Sequence, residues 1–342
     1  MDYKNFNTSE NDLDRRIDKV IRNFLPRLPL SLVYKNIRNG FIKVNSRKTK
    51  ENYRIQKNDV INIAAHLFSQ SDDKKDSTKK AHPLNKKYII LQTPDLLFIN
   101  KPYDLLVHGS ETSLDQQVKD YYRENFTDQS LSFNPGPLHR LDRKTTGILT
   151  FSLSLKGARY FSENIKTHKI KKEYLAVLEG HLKDTLQMED YISKGQETEY
   201  GFNRVKVSHT KEDENEKLAL TRAIPLTKAY FNKVPVTLAK ILIESGRTHQ
   251  IRSQCASRGY PLLGDTAYGG SKLTAFKQDF FLHARCLTFE ENKREVTQGL
   301  QPELPQKLQT ELPHGLPPEI TAPLPSEFEN FLNYCGIKNY RL

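Results

Sequence analysis

Between residues 88 and 295 the apolar residues come in short runs bounded by turn residues, which limits the folds open to the chain. Tyr88 to Leu91 and Leu96 to Asn100 are two such runs, split by Thr93-Pro94-Asp95. Gly147 to Phe151, Tyr174 to Leu178 and Val236 to Ile243 have the same character. Runs of this length suit strands, whereas Leu155, Ala158, Phe161 and Ile165 recur at helical spacing. Helices scattered among strands without a regular βαβ repeat predict an α+β domain built on a mixed, mainly antiparallel sheet. The charged stretch Lys211 to Glu216 is expected to be an exposed hairpin loop.

A smaller unit precedes this domain. Residues 1–12 read as a disordered polar tail, and 13–65 as a compact unit of two helices and a short sheet. Ile17, Val20, Ile21 and Phe24 mark the first helix, Pro26 and Pro29 break it, and Gly40 ends the second. Lys35, Arg38 and Lys43 fall in this unit, an electrostatic footprint suited to an RNA backbone. Residues 66–87 are polar, of mixed charge and aperiodic, and read as a linker. Residues 296–323 hold six of the 17 prolines and read as a Pro-rich low-complexity insertion, followed by a C-terminal segment, 324–342, with a short helix.

The formal net charge of +12 is compatible with a polyanionic partner and equally with a solvated basic surface. Three cysteines with no Cys-x-x-Cys pair argue against a disulfide framework or a structural zinc site. No long apolar stretch or signal-like N-terminus is present, so a cytoplasmic protein without a membrane partner is expected. Nothing suggests an obligate dimer, and a monomer is expected.

Three segments carry chemistry. In His139-Arg140-Leu141-Asp142-Arg143 a carboxylate lies between two cations in a turn that feeds a strand. Nearby cations favour the ionised form that a nucleophile or general base requires, although a surface ion pair would look the same. Gly246-Arg247-Thr248-His249-Gln250-Ile251-Arg252 packs cations behind a turn glycine, and Lys172-Glu173-Tyr174-Leu175-Ala176 puts a tyrosine at the mouth of a strand. Alone, each has a plain structural explanation.

Together and in this order they resemble the RluA-type family of pseudouridine synthases. The signature His-Arg-Leu-Asp-x-x-Thr-Ser-Gly is matched from His139 to Gly147, with Thr146 for the usual serine. Asn100-Lys101-Pro102, Gly264-Asp265, Tyr268-Gly269-Gly270 and Leu282-His283-Ala284 add supporting matches. Residues 13–65 resemble an S4-type RNA-binding domain through Arg16-Ile17-Asp18-Lys19-Val20, Ile37-Arg38-Asn39-Gly40 and Asp59-Val60-Ile61.

The resemblance implies a cofactor-independent, metal-independent isomerase that converts uridine to pseudouridine, with ribosomal RNA of the large subunit the expected substrate. It implies Asp142 as catalytic carboxylate, Arg252 as its partner and Tyr174 as the ring that stacks on the uracil. Arg140, His139, Arg143, Arg247 and His249 are expected to contact RNA. The rival expectations are a transfer-RNA-directed synthase and a non-catalytic RNA-binding protein of the same ancestry. A zinc deaminase is disfavoured because Pro-Cys-x-x-Cys is missing.

Overall fold

The computed structural model describes residues 1–69, 82–126, 130–197, 203–290, 315–338 and 340. In the N-terminal unit β1 (Tyr3–Asn7) is followed by α1 (Ile17–Phe24), α2 (Leu30–Asn39), β2 (Ile42–Val44), β3 (Arg47–Lys48), β4 (Val60–Ala64) and the single turn α3 (His66–Ser69). The four strands pair in the order β1-β4-β2-β3. Their inner face and the two helices bury Ile17, Val20, Ile21, Val33, Ile37, Ile42, Ile61 and Ile63. Gly40 ends α2 with φ +80°, a conformation that costs glycine little.

Two boundaries of this unit differ from expectation. The first residues are not a tail, because β1 pairs antiparallel with β4 and Phe6 lies 4.5 Å from Phe24. Ser9 to Asp12 then form a capped 3₁₀ turn. The Asp12 carboxylate is buried and accepts from Ser130, Leu131 and Ser132 of the next domain. Arg15 and Asn23 both donate to the Ser132 carbonyl, so the two units are docked. The expected linker begins with the ordered turn α3, where Leu67 is buried, and ends with Leu84 in the core of the large domain. Its middle, 70–81, lies outside the described residues.

The large domain runs β5 (Ile89–Gln92), β6 (Leu96–Lys101), α4 (Leu114–Asn125), β7 (Gly136–Pro137), β8 (Thr146–Ser152), α5 (Leu155–Lys166), β9 (Ile170–Glu179), β10 (Leu186–Glu197), β11 (Asn203–Ser208), β12 (Lys217–Phe231), β13 (Val234–Ile243), α6 (Gln250–Ser257), β14 (Leu282–Phe289), β15 (Glu319–Thr321) and α7 (Ser326–Tyr334). Among the described residues one sheet has the order β11-β10-β12-β13-β9-β14-β8-β6-β5, with β15 on β14 and β7 on β8. Only β8 and β14 pair in parallel, so the sheet is mixed and mainly antiparallel as predicted.

Both faces of the sheet are covered. Along β9, Tyr174, Ala176 and Leu178 face one core while Leu175 and Val177 face another, as a two-residue period requires. The second core is closed by α7, whose Phe328 and Phe331 lie 5.1 and 4.3 Å from Phe281.

The C-terminal region also departs from expectation. Residues 315–323 are not part of a structureless insertion, because β15 adds to β14 and Leu316, Ile320 and Ala322 are buried. The rest of the proline-rich stretch, through 314, lies outside the described residues. Residues 211–216 do not join a hairpin either. β10 lies between β11 and β12, which end and begin opposite Tyr191 and Ile192, so this loop crosses the middle of β10, and a buried Glu216 carboxylate accepts from the Glu212 amide and Ser208.

Candidate active site

The site forms where the loop before β8 meets the start of α6 beside the centre of the sheet. In that loop Leu141 is buried in the core, which turns its neighbours Arg140 and Asp142 outward. The loop is held by the Thr145 amide, which donates to the Asp142 carbonyl (3.0 Å), and by buried Lys101. The Lys101 Nζ donates to the carbonyls of Pro102, Leu105 and Arg143 at 2.9, 3.0 and 2.8 Å. Burial pulls the Lys101 pKa down to about 7, against the charge of Asp142. Gly147 then sits at φ +108° opposite Ala284 of β14, where a Cβ would run into the Ala284 backbone. Tyr174 on β9 is the cross-strand partner of that same Ala284. One close backbone approach thereby brings the Asp142 loop to the Tyr174 strand.

From the other side, α6 presents Arg252. Its guanidinium binds Asp265 through Nε and Nη2 at 2.6 and 2.9 Å and faces Asp142 Oδ2 through Nη1 at 3.5 Å. It lies over the rings of Phe280 and Tyr268, 4.8 and 5.0 Å from their centroids. Burial opposes its charge, but the bonds to Asp265 outweigh that and raise its pKa. His249 Nε2 is 3.8 Å from the same Asp142 oxygen. Burial lowers the His249 pKa, against the pull of Asp142. Two nitrogens thus face Oδ2, while Oδ1 has no hydrogen bond among those described.

Asp142, Tyr174, Arg252, Arg140, Arg247 and His249 line a single narrow cleft. Burial, with the Asp142 charge, pushes the Tyr174 phenol well above its ordinary pKa, so the ring is neutral. Arg140 is exposed at the rim, where its Nη1 donates to Thr248 Oγ1 at 3.1 Å, and Arg247 donates to the Leu218 carbonyl.

One expected residue needs correction, and four others lie outside this cleft. His139 faces away from the cleft: its Nε2 accepts the Thr150 amide at 3.0 Å and its ring stacks 5.7 Å from Phe161. Burial drops its pKa to about 3, which suits an uncharged ring that braces the loop rather than one that binds RNA. Arg143 turns to Asp104, with Nε 2.8 Å from its carboxylate. Lys35 and Arg38 are exposed on α2, and half-buried Lys43 places its Nζ 4.5 Å from the centre of the Tyr3 ring. Conversely, Asp265, Tyr268 and Lys101 belong to the site although sequence reasoning assigned them no role. Each stood in a segment that matched the family pattern, but nothing local distinguished them from turn or strand residues.

A cation-flanked carboxylate facing an aromatic ring, on this mixed sheet, defines the class: an enzyme of the pseudouridine synthase fold. The profile of the RNA pseudouridylate synthase family matches residues 95–257. The ribosomal large subunit pseudouridine synthase C of Haemophilus influenzae is 29% identical over 302 residues, covering 84% of this chain and 88% of that protein. The protein of the same name from Haemophilus ducreyi is 28% identical over 298 residues, 84% of this chain and 88% of its own. Among solved structures, human RNA pseudouridylate synthase domain containing 4 superposes with a TM-score of 0.53 at 20% identity, over 75% of this chain and 95% of that one. Over residues 95–257 the chain matches the RNA pseudouridylate synthase family, and with its relatives this makes it a pseudouridine synthase, an isomerase. Among the described residues no helix is long and apolar enough to cross a membrane.

Proposed function

We propose that this enzyme isomerises uridines of large-subunit ribosomal RNA, with Asp142 as its catalytic carboxylate. The observation that carries the reading is the position of Asp142, ion-paired to Arg252 and sharing a cleft with the neutral Tyr174 ring. The names of its bacterial relatives support the ribosomal substrate. The reaction breaks the bond between N1 of uracil and C1′ of ribose, turns the base and joins C5 to C1′. Atoms and charge balance within the nucleotide, apart from a proton lost from C5 and one gained at N1.

A stacked uridine cannot reach this cleft, so the nucleotide must leave the helix at a cost of a few kcal/mol. Arg140, exposed at the rim, is suited to fill the vacated space, because a guanidinium stacks on bases and binds phosphates. Tyr174 then stacks on the uracil while Arg252 and His249 hold one oxygen of Asp142, leaving the other for the reacting centre. The N-terminal unit, read as an S4-type RNA-binding domain, offsets part of the flipping cost through Lys35, Arg38 and Lys43. The enzyme acts as a cytoplasmic monomer.

The test is tritium release from ribosomal RNA labelled at C5 of uridine. Wild type is expected to release tritium and Asp142→Ala to release none. Release by the variant at the wild-type rate would overturn the assignment of Asp142.

A further inference from the structure

A second cavity, of about 570 Å³, lies across Asp142 from the Tyr174 cleft. That is the volume range of small-molecule pockets, whereas the catalytic cleft has about 50 Å³ of free space. Asp142, His249 and Arg252 belong to both walls. The remaining wall carries Lys144, Arg204 and Tyr268. Its charges are mostly cancelled: Arg252 is bound by Asp265, Lys144 is paired with Asp279, and Arg143 with Asp104. Arg204 on β11 is exposed and, among the described residues, has no ion pair, so it supplies an uncompensated positive charge at the mouth of this space.

Next to Arg204, the Val205 amide donates to Tyr268 Oη at 3.1 Å, and Tyr268 Oη lies 2.9 Å from His249 Nδ1. An amide can only donate, so the Tyr268 hydroxyl hydrogen is free to go to Nδ1. A neutral imidazole that accepts at Nδ1 carries its proton on Nε2. Nε2 is the nitrogen facing Asp142. The chain Val205, Tyr268, His249 therefore sets which hydrogen is presented to the catalytic carboxylate, and it begins one residue from Arg204.

We propose that this cavity is a subsite for the nucleotide adjoining the target uridine, with Arg204 binding its phosphodiester, and that the hydrogen-bonded chain couples its occupancy to the setting of Asp142. The inference rests on the isomerase reading above. Arg204 is a binding residue, and Tyr268 and His249 are positioning residues that act through Asp142.

The experiment measures RNA binding and tritium release together, using large-subunit ribosomal RNA labelled at C5 of uridine, over a salt series. Arg204→Ala is expected to weaken binding and raise KM, and to flatten the dependence of log binding constant on log salt by about 0.7, the share of one single-strand phosphate. Tyr268→Phe keeps the ring and removes the hydroxyl. It is expected to lower kcat on the order of tenfold, the scale of a modest coupling between sites, with little change in KM. The ¹⁵N resonances of His249 are expected to report the Nε2–H tautomer in wild type and a mixture in the variant. Unchanged binding and salt slope in Arg204→Ala would overturn the subsite. A wild-type kcat and an unaltered tautomer in Tyr268→Phe would overturn the coupling. No tritium release by wild type would overturn the isomerase reading, while the binding comparison would still judge the subsite.

Discussion

Asp265 never faces the reacting centre, yet replacing it with alanine should damage both stability and chemistry. Its side chain is 2% exposed and that of its partner Arg252 is 11% exposed. Removing one partner of a buried ion pair costs about 3–5 kcal/mol, because the other charge is left without compensation. Here Arg252 keeps Asp142 at 3.5 Å and two aromatic faces, so the lower end, about 3 kcal/mol, applies. At about 2–4 °C per kcal/mol for a domain of this size, Tm should fall by about 6–12 °C.

The effect on turnover comes from geometry. Arg252 is oriented by two bonds to Asp265 and meets Asp142 through its remaining nitrogen. Freed of the first two, the guanidinium still pairs with Asp142 but no longer fixes the position of Oδ2. A misplacement of about 1 Å can cost a factor of about a hundred in rate, and kcat should fall by that order with KM little changed. Asp265→Asn keeps the shape and one acceptor oxygen and should lie between, which separates lost chemistry from lost folding. Thermal unfolding followed by circular dichroism and tritium release at 25 °C are the assays. If Asp265→Ala melts within about 2 °C of wild type, less than about 1 kcal/mol has gone, and the account of Arg252 as a locked, buried cation is wrong.

Two further outcomes follow from the structure. Burial lowers the pKa of His139 to about 3 and of His283 to about 4, from 6.5. Between pH 6.5 and 4 the unfolded chain therefore binds protons that the folded one does not, and stability should fall as pH falls, by about 1.4 kcal/mol per pH unit for each group. Urea midpoints measured from pH 7 to 4.5 check this, and His139→Gln should lower the slope by about 1.4 kcal/mol per pH unit; an unaltered slope would contradict the assignment. For the N-terminal face, replacing Lys35, Arg38 and Lys43 together with alanine should weaken RNA binding and reduce its salt slope by about 0.7–0.9 for each phosphate no longer neutralised. A slope equal to that of wild type would mean that the RNA crosses some other surface. Point variants suit this test better than deletion of the unit, because Asp12 docks it onto the large domain.

Motif and period made much of this protein legible before its structure. The strands within 88–100, 147–151, 174–178 and 236–243 and the helix through Leu155 stood out because short apolar runs suit a buried strand and a 3.6-residue stripe suits a helix, whereas β10, β11 and β12 did not stand out. The two N-terminal helices were marked by proline and glycine for the same local reasons. Segments without such periodicity misled. Tyr3 to Asn7 is polar enough to pass for a tail, and its strand exists because β4 offers an unpaired edge. Residues 315–323 are proline-rich, and they are ordered because β14 accepts them as a strand while Leu316 and Ile320 find a core.

The same division runs through the site. Asp142, Tyr174 and Arg252 were singled out in the sequence because each sits in a segment that, taken in order with the others, resembles the family pattern. Which side of the loop His139 faces is set by its packing against Phe161 and the Thr150 amide, on a helix and a strand that follow it in the chain. The pairing of Arg252 with Asp265, and the chain from Val205 through Tyr268 to His249, join segments far apart in the chain. Local sequence thus determined the chemical groups and the elements that carry them. Their distances, protonation and partners were decided only by tertiary packing, because burial and hydrogen bonding depend on neighbours that no local pattern encodes.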